Sequence, residues 1–261
     1  MIGIFDSGVG GLTVARAIMK ELPEADLIYL GDTARAPYGN KSKETIVKYA
    51  LQDADFLIKK GATMLVVACN TASALAYDEL KTAYPNVPIF EVIAPAVDEA
   101  VAATKAGRIG VIGTRATIKS NIYEKRLKEK NGELFIESHE CPLFVPFIEE
   151  GWLKSPELKM IARKYLSVFK SKNIDTLILG CTHYPLIKEI IQEKIGRRVK
   201  SIDSADAVAK KVSEFLLAHQ ALADKNKKRE FYFSDVTEKC KTIANKFLGQ
   251  NIQIYESGDF E

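Results

Sequence analysis

Short apolar runs alternate along this chain with longer stretches in which apolar positions recur every three or four residues. The runs read as strands: IGIFD (2–6), DLIYLG (26–31), MLVVA (64–68), PIFEV (88–92), RIGVI (108–112), ELFIE (133–137), DTLILG (175–180), VKSID (199–203) and EFYFS (230–234). Several are apolar on both faces, the pattern of strands in a parallel sheet covered by helices. The stretches between them read as helices. In 43–60, Ile46, Val47, Ala50, Leu51, Ala54, Leu57 and Ile58 keep helical spacing, and Gly61 follows as a stop. The same pattern marks 10–22, 72–84, 95–105, 117–130, 155–172, 184–195, 204–222 and 236–248. Strand and helix alternate throughout, so the expected fold class is α/β.

The alternation falls into two similar sets. Residues 1–92 form one, with a cysteine after the third strand; residues 93–205 form a second, whose first strand lies in GRIGVIGTRAT. The remaining 206–261 are too short to stand alone. The expectation is therefore two similar α/β domains with largely parallel sheets. The first comprises 1–92 plus 206–261, and 93–205 is inserted into it.

Composition narrows the function classes. The chain has 261 residues, 47% hydrophobic and 27% charged, which is ordinary globular usage. Lys plus Arg number 37 against 34 Asp plus Glu, a net charge of +3 without a dense basic stripe. The run DKNKKRE (224–230) reads as a solvated loop, so no nucleic-acid partner is expected. The cysteines at 69, 141, 181 and 240 have neither CxxC pairing nor zinc-ligand spacing, and such sparse thiols suit a reducing cytoplasm. The start, MIGIFDSG, enters a strand at once, without the features of a signal peptide. No apolar run approaches the ~18 residues of a membrane span.

Ligands of parallel α/β sheets bind beyond the carboxyl ends of the strands. The first strand ends in Asp6-Ser7 before Gly8-Val9-Gly10-Gly11, and the second leads into GDTARAPYG with Asp32, Tyr38 and Gly39. The third gives Cys69-Asn70-Thr71, the fifth Thr114 and Thr117, the seventh Cys181-Thr182-His183. The glycines permit a tight strand-to-helix turn. They lack the third glycine of a dinucleotide fingerprint, and Asp6 would repel a pyrophosphate. Thr71, Thr114 and Thr182 each suit a helix N-cap, a role compatible with holding a ligand.

Cys141 and Cys240 read as inert packing. Cys69 and Cys181 stand at strand ends beside polar residues and helix N-termini, a setting expected to lower a thiol pKa. His183 lies two residues from Cys181 and Asp6 is within reach of Cys69; His139 and His219 read as surface or structural. Two thiols admit a cysteine hydrolase, which needs one of them, or a pair of acid/base groups facing one carbon. The pair would invert a stereocentre, because a proton must leave one face and another arrive on the opposite face. An amino-acid-binding module would also have a cleft lined with small donors, but would gain little from two thiols.

FDSGVGGLTV, GDTARAPYG, VVACNTASA, GTRATIKSNIY and LGCTHYPL, in this order, resemble the bacterial glutamate racemase family within the aspartate/glutamate racemases. The resemblance runs from Met1 to at least Ile202. It implies a cofactor-independent isomerase with its site in the cleft between two α/β domains, making D-glutamate for peptidoglycan and hence cell-wall biogenesis and cell shape. It implies Cys69 and Cys181 as the catalytic acid/base pair, with Cys69 taking the α-proton of D-glutamate and Cys181 that of L-glutamate. Asp6 and His183 would support them, and also contact substrate. Ser7, Tyr38, Gly39, Asn70 and Thr71 would hold substrate from the first domain; Thr114, Thr117 and Thr182 would do so from the second. Glu149, in FIEEGW, matches a carboxylate on the histidine side, with Glu150 as its alternative. His183 stands where related aspartate racemases typically carry Glu, which points to glutamate. The chain begins without the N-terminal extension of members activated by a cell-wall precursor, so that regulation is not expected. No cofactor and no metal are expected; the partners expected are glutamate and a second copy of the chain in a homodimer, with no membrane.

Overall fold

The computed structural model describes residues 1–219 and 226–258. Ten strands are built: β1 (Ile2–Asp6), β2 (Leu27–Gly31), β3 (Met64–Val67), β4 (Ile89–Glu91), β5 (Arg108–Gly113), β6 (Phe135–Glu140), β7 (Thr176–Gly180), β8 (Lys200–Asp203), β9 (Arg229–Phe233) and β10 (Ile254–Glu256). They form two sheets whose pairings are all parallel. One has the order β10-β9-β2-β1-β3-β4, the other β6-β5-β7-β8. The six-stranded sheet thus takes strands from both ends of the chain and the four-stranded sheet from its middle.

Helices connect the strands: α1 (Leu12–Glu21), α2 (Lys43–Lys59), α3 (Asn70–Ala83), α4 (Ile93–Ala103), α5 (Arg115–Lys119), α6 (Ile122–Lys130), α7 (Phe144–Glu149), α8 (Pro156–Leu166), α9 (Lys188–Ile195), α10 (Ser204–Ala218) and α11 (Glu238–Leu248). Three differences from the periodicity have local causes. The helix expected over 117–130 is two, because Asn121 adopts φ 54 between α5 and α6. The stretches 155–172 and 184–195 each include a 3-10 segment, at 167–172 and 184–187. Helix α7 had no readable period, being six residues long with Pro146 inside it. The end of the helix expected over 204–222, and the first two residues of the DKNKKRE run, lie outside the described residues.

Helices α1 and α10 pack together, and α10 also touches α4 and both sheets. One apolar core runs through this contact: Ile4, Leu12 and Ile18 are continuous with Leu177, Leu179, Val208 and Val212. The outer faces bury separate clusters, Phe5, Ile46 and Leu57 under α2, and Ile93, Tyr123 and Leu127 under α4 and α6. Strand β9 brings the last segment of the chain beside β2, with Phe233 paired to Gly31 and its ring 5.7 Å from that of Tyr29.

Phe233 is fully buried, whereas Tyr255 on the edge strand β10 is 39% exposed. Removing a fully buried phenylalanine side chain costs about 3–5 kcal/mol, while exposed substitutions stay within about 0.5 kcal/mol. Urea unfolding should therefore show a large loss for Phe233→Ala and a small one for Tyr255→Ala. A loss for Phe233→Ala as small as that expected for Tyr255→Ala would mean that the returning segment is not part of the core.

Candidate active site

The strand ends are aligned by register. Gly113 of β5 pairs with Gly180 of β7, so Thr114 and Cys181 leave the four-stranded sheet side by side. Phe5 pairs with Val67, which carries Ser7 and Cys69 out of the six-stranded sheet together. The Cys69 thiol lies 3.5 Å from Ser7 Oγ. Both thiols face one cavity of about 290 Å³, which the first sheet's loops wall with Ser7, the 36–40 segment and Asn70-Thr71. The second sheet contributes Thr114, Thr182 and His183.

The two sides meet at the glycines after β1. A Cβ on Gly10 would sit 2.4 Å from both His183 Nδ1 and Thr182 Oγ1. Thr13 Oγ1 donates to the Thr182 carbonyl at 3.1 Å, and Thr182 Oγ1 lies 3.5 Å from Asp6 Oδ1. The glycines therefore serve a close approach between loops as well as a turn. Asp6 is fully buried behind this contact, accepting from the Gly8 N–H at 3.0 Å. Burial raises its pKa, opposed by the charge of His183 and the N–H groups of Gly11 and Gly8. No hydrogen bond among the described residues joins Asp6 to Cys69. Asp6 reaches the cavity through Ser7 and Thr182 rather than lining it.

The thiols have unlike surroundings. Burial, then the Asp6 charge, pushes the Cys69 thiol up to about 12, so the expectation of a lowered pKa is corrected here: desolvation outweighs the α3 N-terminus. Cys181 Sγ lies 3.8 Å from His183 Nδ1, and His183 Nε2 is 3.0 Å from Glu149 Oε1. Burial disfavours a charged imidazole, but its hydrogen bonds to Cys181 and Glu149 raise the His183 pKa to about 10. Glu149 is held below the usual carboxylate range: burial opposes this, and the hydrogen bond and charge of His183 outweigh it. Glu150 also faces the cavity but pairs with Lys239 at 2.6 Å, so of the two glutamates it is Glu149 that meets the histidine.

Three threonine hydroxyls form a triangle across the sheets. Thr71 Oγ1 is 3.0 Å from Thr114 and 3.2 Å from Thr117, and Thr114 and Thr117 are 3.0 Å apart. Thr71 and Thr114 line the cavity, and Thr117 is the corner of the triangle that lies outside its wall. Asn70 accepts a 2.7 Å hydrogen bond from Tyr123 through Oδ1, leaving its buried Nδ2 without a partner. Tyr38 lines the cavity, and its hydroxyl is taken by Asp32 and Asp53. Asp32 lies in that cluster rather than in the wall. Cys141, read as inert packing, lines the cavity with Pro142 and Val145, an apolar wall that no sequence period foreshadows. Among the described residues no group of three His, Cys, Asp or Glu side chains is arranged to hold a metal ion.

A model of the Asp/Glu/Hydantoin racemase family matches residues 12–212. The chain is 49% identical over 252 residues to the glutamate racemase of Aquifex aeolicus, covering 97% of this chain and 95% of that protein. It is 48% identical over 250 residues to that of Geobacter metallireducens, covering 95% and 92%. The crystal structure of glutamate racemase from Francisella tularensis in complex with D-glutamate superposes with a TM-score of 0.92 at 40% identity, covering 100% of this chain and 96% of that one.

The His183 surroundings carry a pH dependence of stability. A folded pKa of about 10 against an ordinary 6.5 gives stabilisation that is full below pH 6.5 and lost as pH rises towards about 10. Denaturant midpoints followed upward from pH 6.5 should fall more steeply for wild type than for His183→Gln, which cannot take up the proton. Parallel curves would show that His183 is not charged in the folded site.

Proposed function

The chain belongs to the Asp/Glu/Hydantoin racemase family, and on that premise we propose that it interconverts L-glutamate and D-glutamate with Cys69 and Cys181 as paired acid/base thiols. The observation that carries this reading is one cavity reached by two thiols from the carboxyl ends of separate sheets. Removing the α-proton gives a planar carbanion; a base on one face and an acid on the other complete inversion. Cys181 takes the proton of L-glutamate, with the His183–Glu149 pair behind it. Cys69, which burial keeps protonated, delivers a proton to the opposite face. From D-glutamate the roles reverse. Asp6 supports the Cys69 side through Ser7 and the glycine turn.

Substrate carboxylates are held by short donors. Ser7, Asn70 and Thr71 serve from the first sheet, together with Gly39 and the main chain at Tyr38. Thr114, Thr182 and His183 serve from the second, and Thr117 holds Thr71 and Thr114 in place. The unpartnered Asn70 Nδ2 supports this assignment, because a buried donor left unpaired costs about 1–3 kcal/mol until an acceptor arrives. The separate sheets support a division into two domains, 1–92 with 206–261, and 93–205. The D-glutamate goes to peptidoglycan, and the enzyme works in the cytoplasm as a homodimer without cofactor or metal. No described helix is long and apolar enough to cross a membrane.

A second reading has one observation in its favour. Cys181, His183 and Glu149 stand in a row, as a nucleophile, its base and an orienting carboxylate would. A cysteine hydrolase built on that row leaves Cys69 without a task.

Circular dichroism of L-glutamate incubated with the protein should decay to zero, and prior dialysis against a chelator should not slow it. Release of an amine or alcohol from glutamyl amides or esters without racemisation would favour the hydrolase. A loss of activity on dialysis that a cofactor restores would reject the thiol-only mechanism.

Single-thiol variants separate the two faces. Cys69→Ala and Cys181→Ala should each stop racemisation in both directions, since every turnover needs one base and one acid. A glutamate bearing a leaving group on the β-carbon needs only the base: the carbanion expels that group. Cys181→Ala should therefore eliminate from the D analogue alone, and Cys69→Ala from the L analogue alone. Equal elimination from both enantiomers by each variant would rule out one thiol per face.

A further inference from the structure

Beneath the cavity lies a buried polar cluster for which the two-thiol chemistry has no use. The segment after β2 turns past Asp32 and Arg35 and then supplies five consecutive residues of the cavity wall, 36–40. Asp32, Tyr38 and Asp53 are at most 1% exposed. Asp53 comes from the middle of α2, far from the strand ends in sequence. The Arg35 guanidinium bridges the two carboxyl groups, Nε to Asp32 Oδ2 at 2.7 Å and Nη2 to Asp53 Oδ1 at 2.9 Å. Its Nη1 donates to Gln52 at 2.6 Å.

The Tyr38 hydroxyl touches both acids, Asp32 Oδ2 and, at 3.0 Å, Asp53 Oδ2. A phenol has one proton to donate. Two bare carboxylates on one phenol oxygen would leave one pair of oxygens facing each other without a proton between them. One acid must therefore carry a proton and donate it. Asp32 is the less suited, because both its oxygens already accept without Tyr38: Oδ2 from Arg35, and Oδ1 from Ser234 Oγ at 2.9 Å, whose own oxygen accepts from the Ala34 N–H. Asp53 Oδ1 accepts from Arg35, and among the described residues Oδ2 meets only the Tyr38 oxygen.

We propose that Asp53 is a positioning residue present as the neutral acid, donating its proton to Tyr38 and so holding the 36–40 segment in the shape that receives glutamate. This rests on the glutamate reading of the cavity. Burial, then the Asp32 charge, raises the Asp53 pKa well above the carboxylate range, in the same direction as the hydrogen-bond count. The segment has little slack on its other side, because a Cβ on Gly39 would lie 2.9 Å from Thr114 Cβ. Tyr38, fixed by Asp53, thus sets how the segment meets the threonine triangle.

The assignment makes asparagine a faithful replacement at one acid and a poor one at the other. In Asp53→Asn the amide oxygen still accepts from Arg35 and the NH2 donates to Tyr38. In Asp32→Asn the NH2 must either face the Arg35 Nε–H or make the Ser234 hydroxyl turn its proton away, and in both cases Arg35 loses the charge of Asp32. Racemisation kinetics should give Asp53→Asn a KM for L-glutamate within about twofold of wild type. Asp53→Ala and Asp32→Asn should raise KM by roughly tenfold or more, with smaller changes in kcat, as expected when buried partners are left unpaired. Infrared difference spectra of wild type minus Asp53→Asn at neutral pH should contain the C=O stretch of a protonated carboxylic acid; this readout does not depend on the alanine variant folding. An Asp53→Asn enzyme as impaired as Asp53→Ala, a carboxylate band in place of the acid band, or an unchanged KM in Asp53→Ala would each overturn the proposal. A wild-type protein that neither binds nor racemises glutamate would instead remove the reading on which it rests.

Discussion

The site depends on how closely two loops from different sheets can approach. Gly10, after β1, has no Cβ, and the space one would need is held by Thr182 and His183 from the end of β7. That contact brings Asp6 to within 3.5 Å of a hydroxyl 176 residues later in the chain. It also puts the two cysteine-bearing strand ends on either side of one cavity. An alanine there would have to push back the side chains that support Cys181, so the constraint is steric before it is chemical.

Around this contact the charges are arranged unequally. On one side a thiol is buried against a carboxylate, and desolvation keeps its proton on. On the other a thiol meets an imidazole whose far nitrogen reaches Glu149, and hydrogen bonding overcomes the cost of burying a charge. Burial disfavours the charged form on both sides; it prevails at Cys69, where the Asp6 charge acts with it, and is overcome at His183 by the hydrogen bonds to Cys181 and Glu149. A reaction that moves a proton from one face of a carbon to the other suits such an asymmetric pair: each side can hold the state that the other must release.

The walls are held with equal economy of partners. The threonine triangle lets three hydroxyls satisfy one another across the two sheets. The Asp32–Tyr38–Asp53 cluster does the same for the 36–40 segment, with one guanidinium placed between two acids. Behind both, α1 packed on α10 makes one continuous apolar core that keeps the six-stranded and four-stranded sheets in register with the cavity.

The sequence by itself determined the alternation of strands and helices, because apolar period is a local property and most elements here are long enough to display it. It also determined which residues stand at the carboxyl ends of the strands, since in a parallel sheet those are the residues that follow each apolar run. Cys69, Cys181, His183 and the glycine turn were legible for that reason. Helix α7 was not: six residues with a proline inside have no period, and with it went the apolar wall of Pro142 and Val145. The tertiary structure alone decided between Glu149 and Glu150, one meeting His183 and the other Lys239. It decided that Asp6 meets Thr182 as well as acting on Cys69 through its charge, that the Tyr38 hydroxyl pairs with Asp32 and Asp53, and that Asp53 lies beneath the cavity. It also decided where protons reside. Burial and pairing come from neighbours distant in the chain, and a thiol at a helix N-terminus reads the same in sequence whether water reaches it or not.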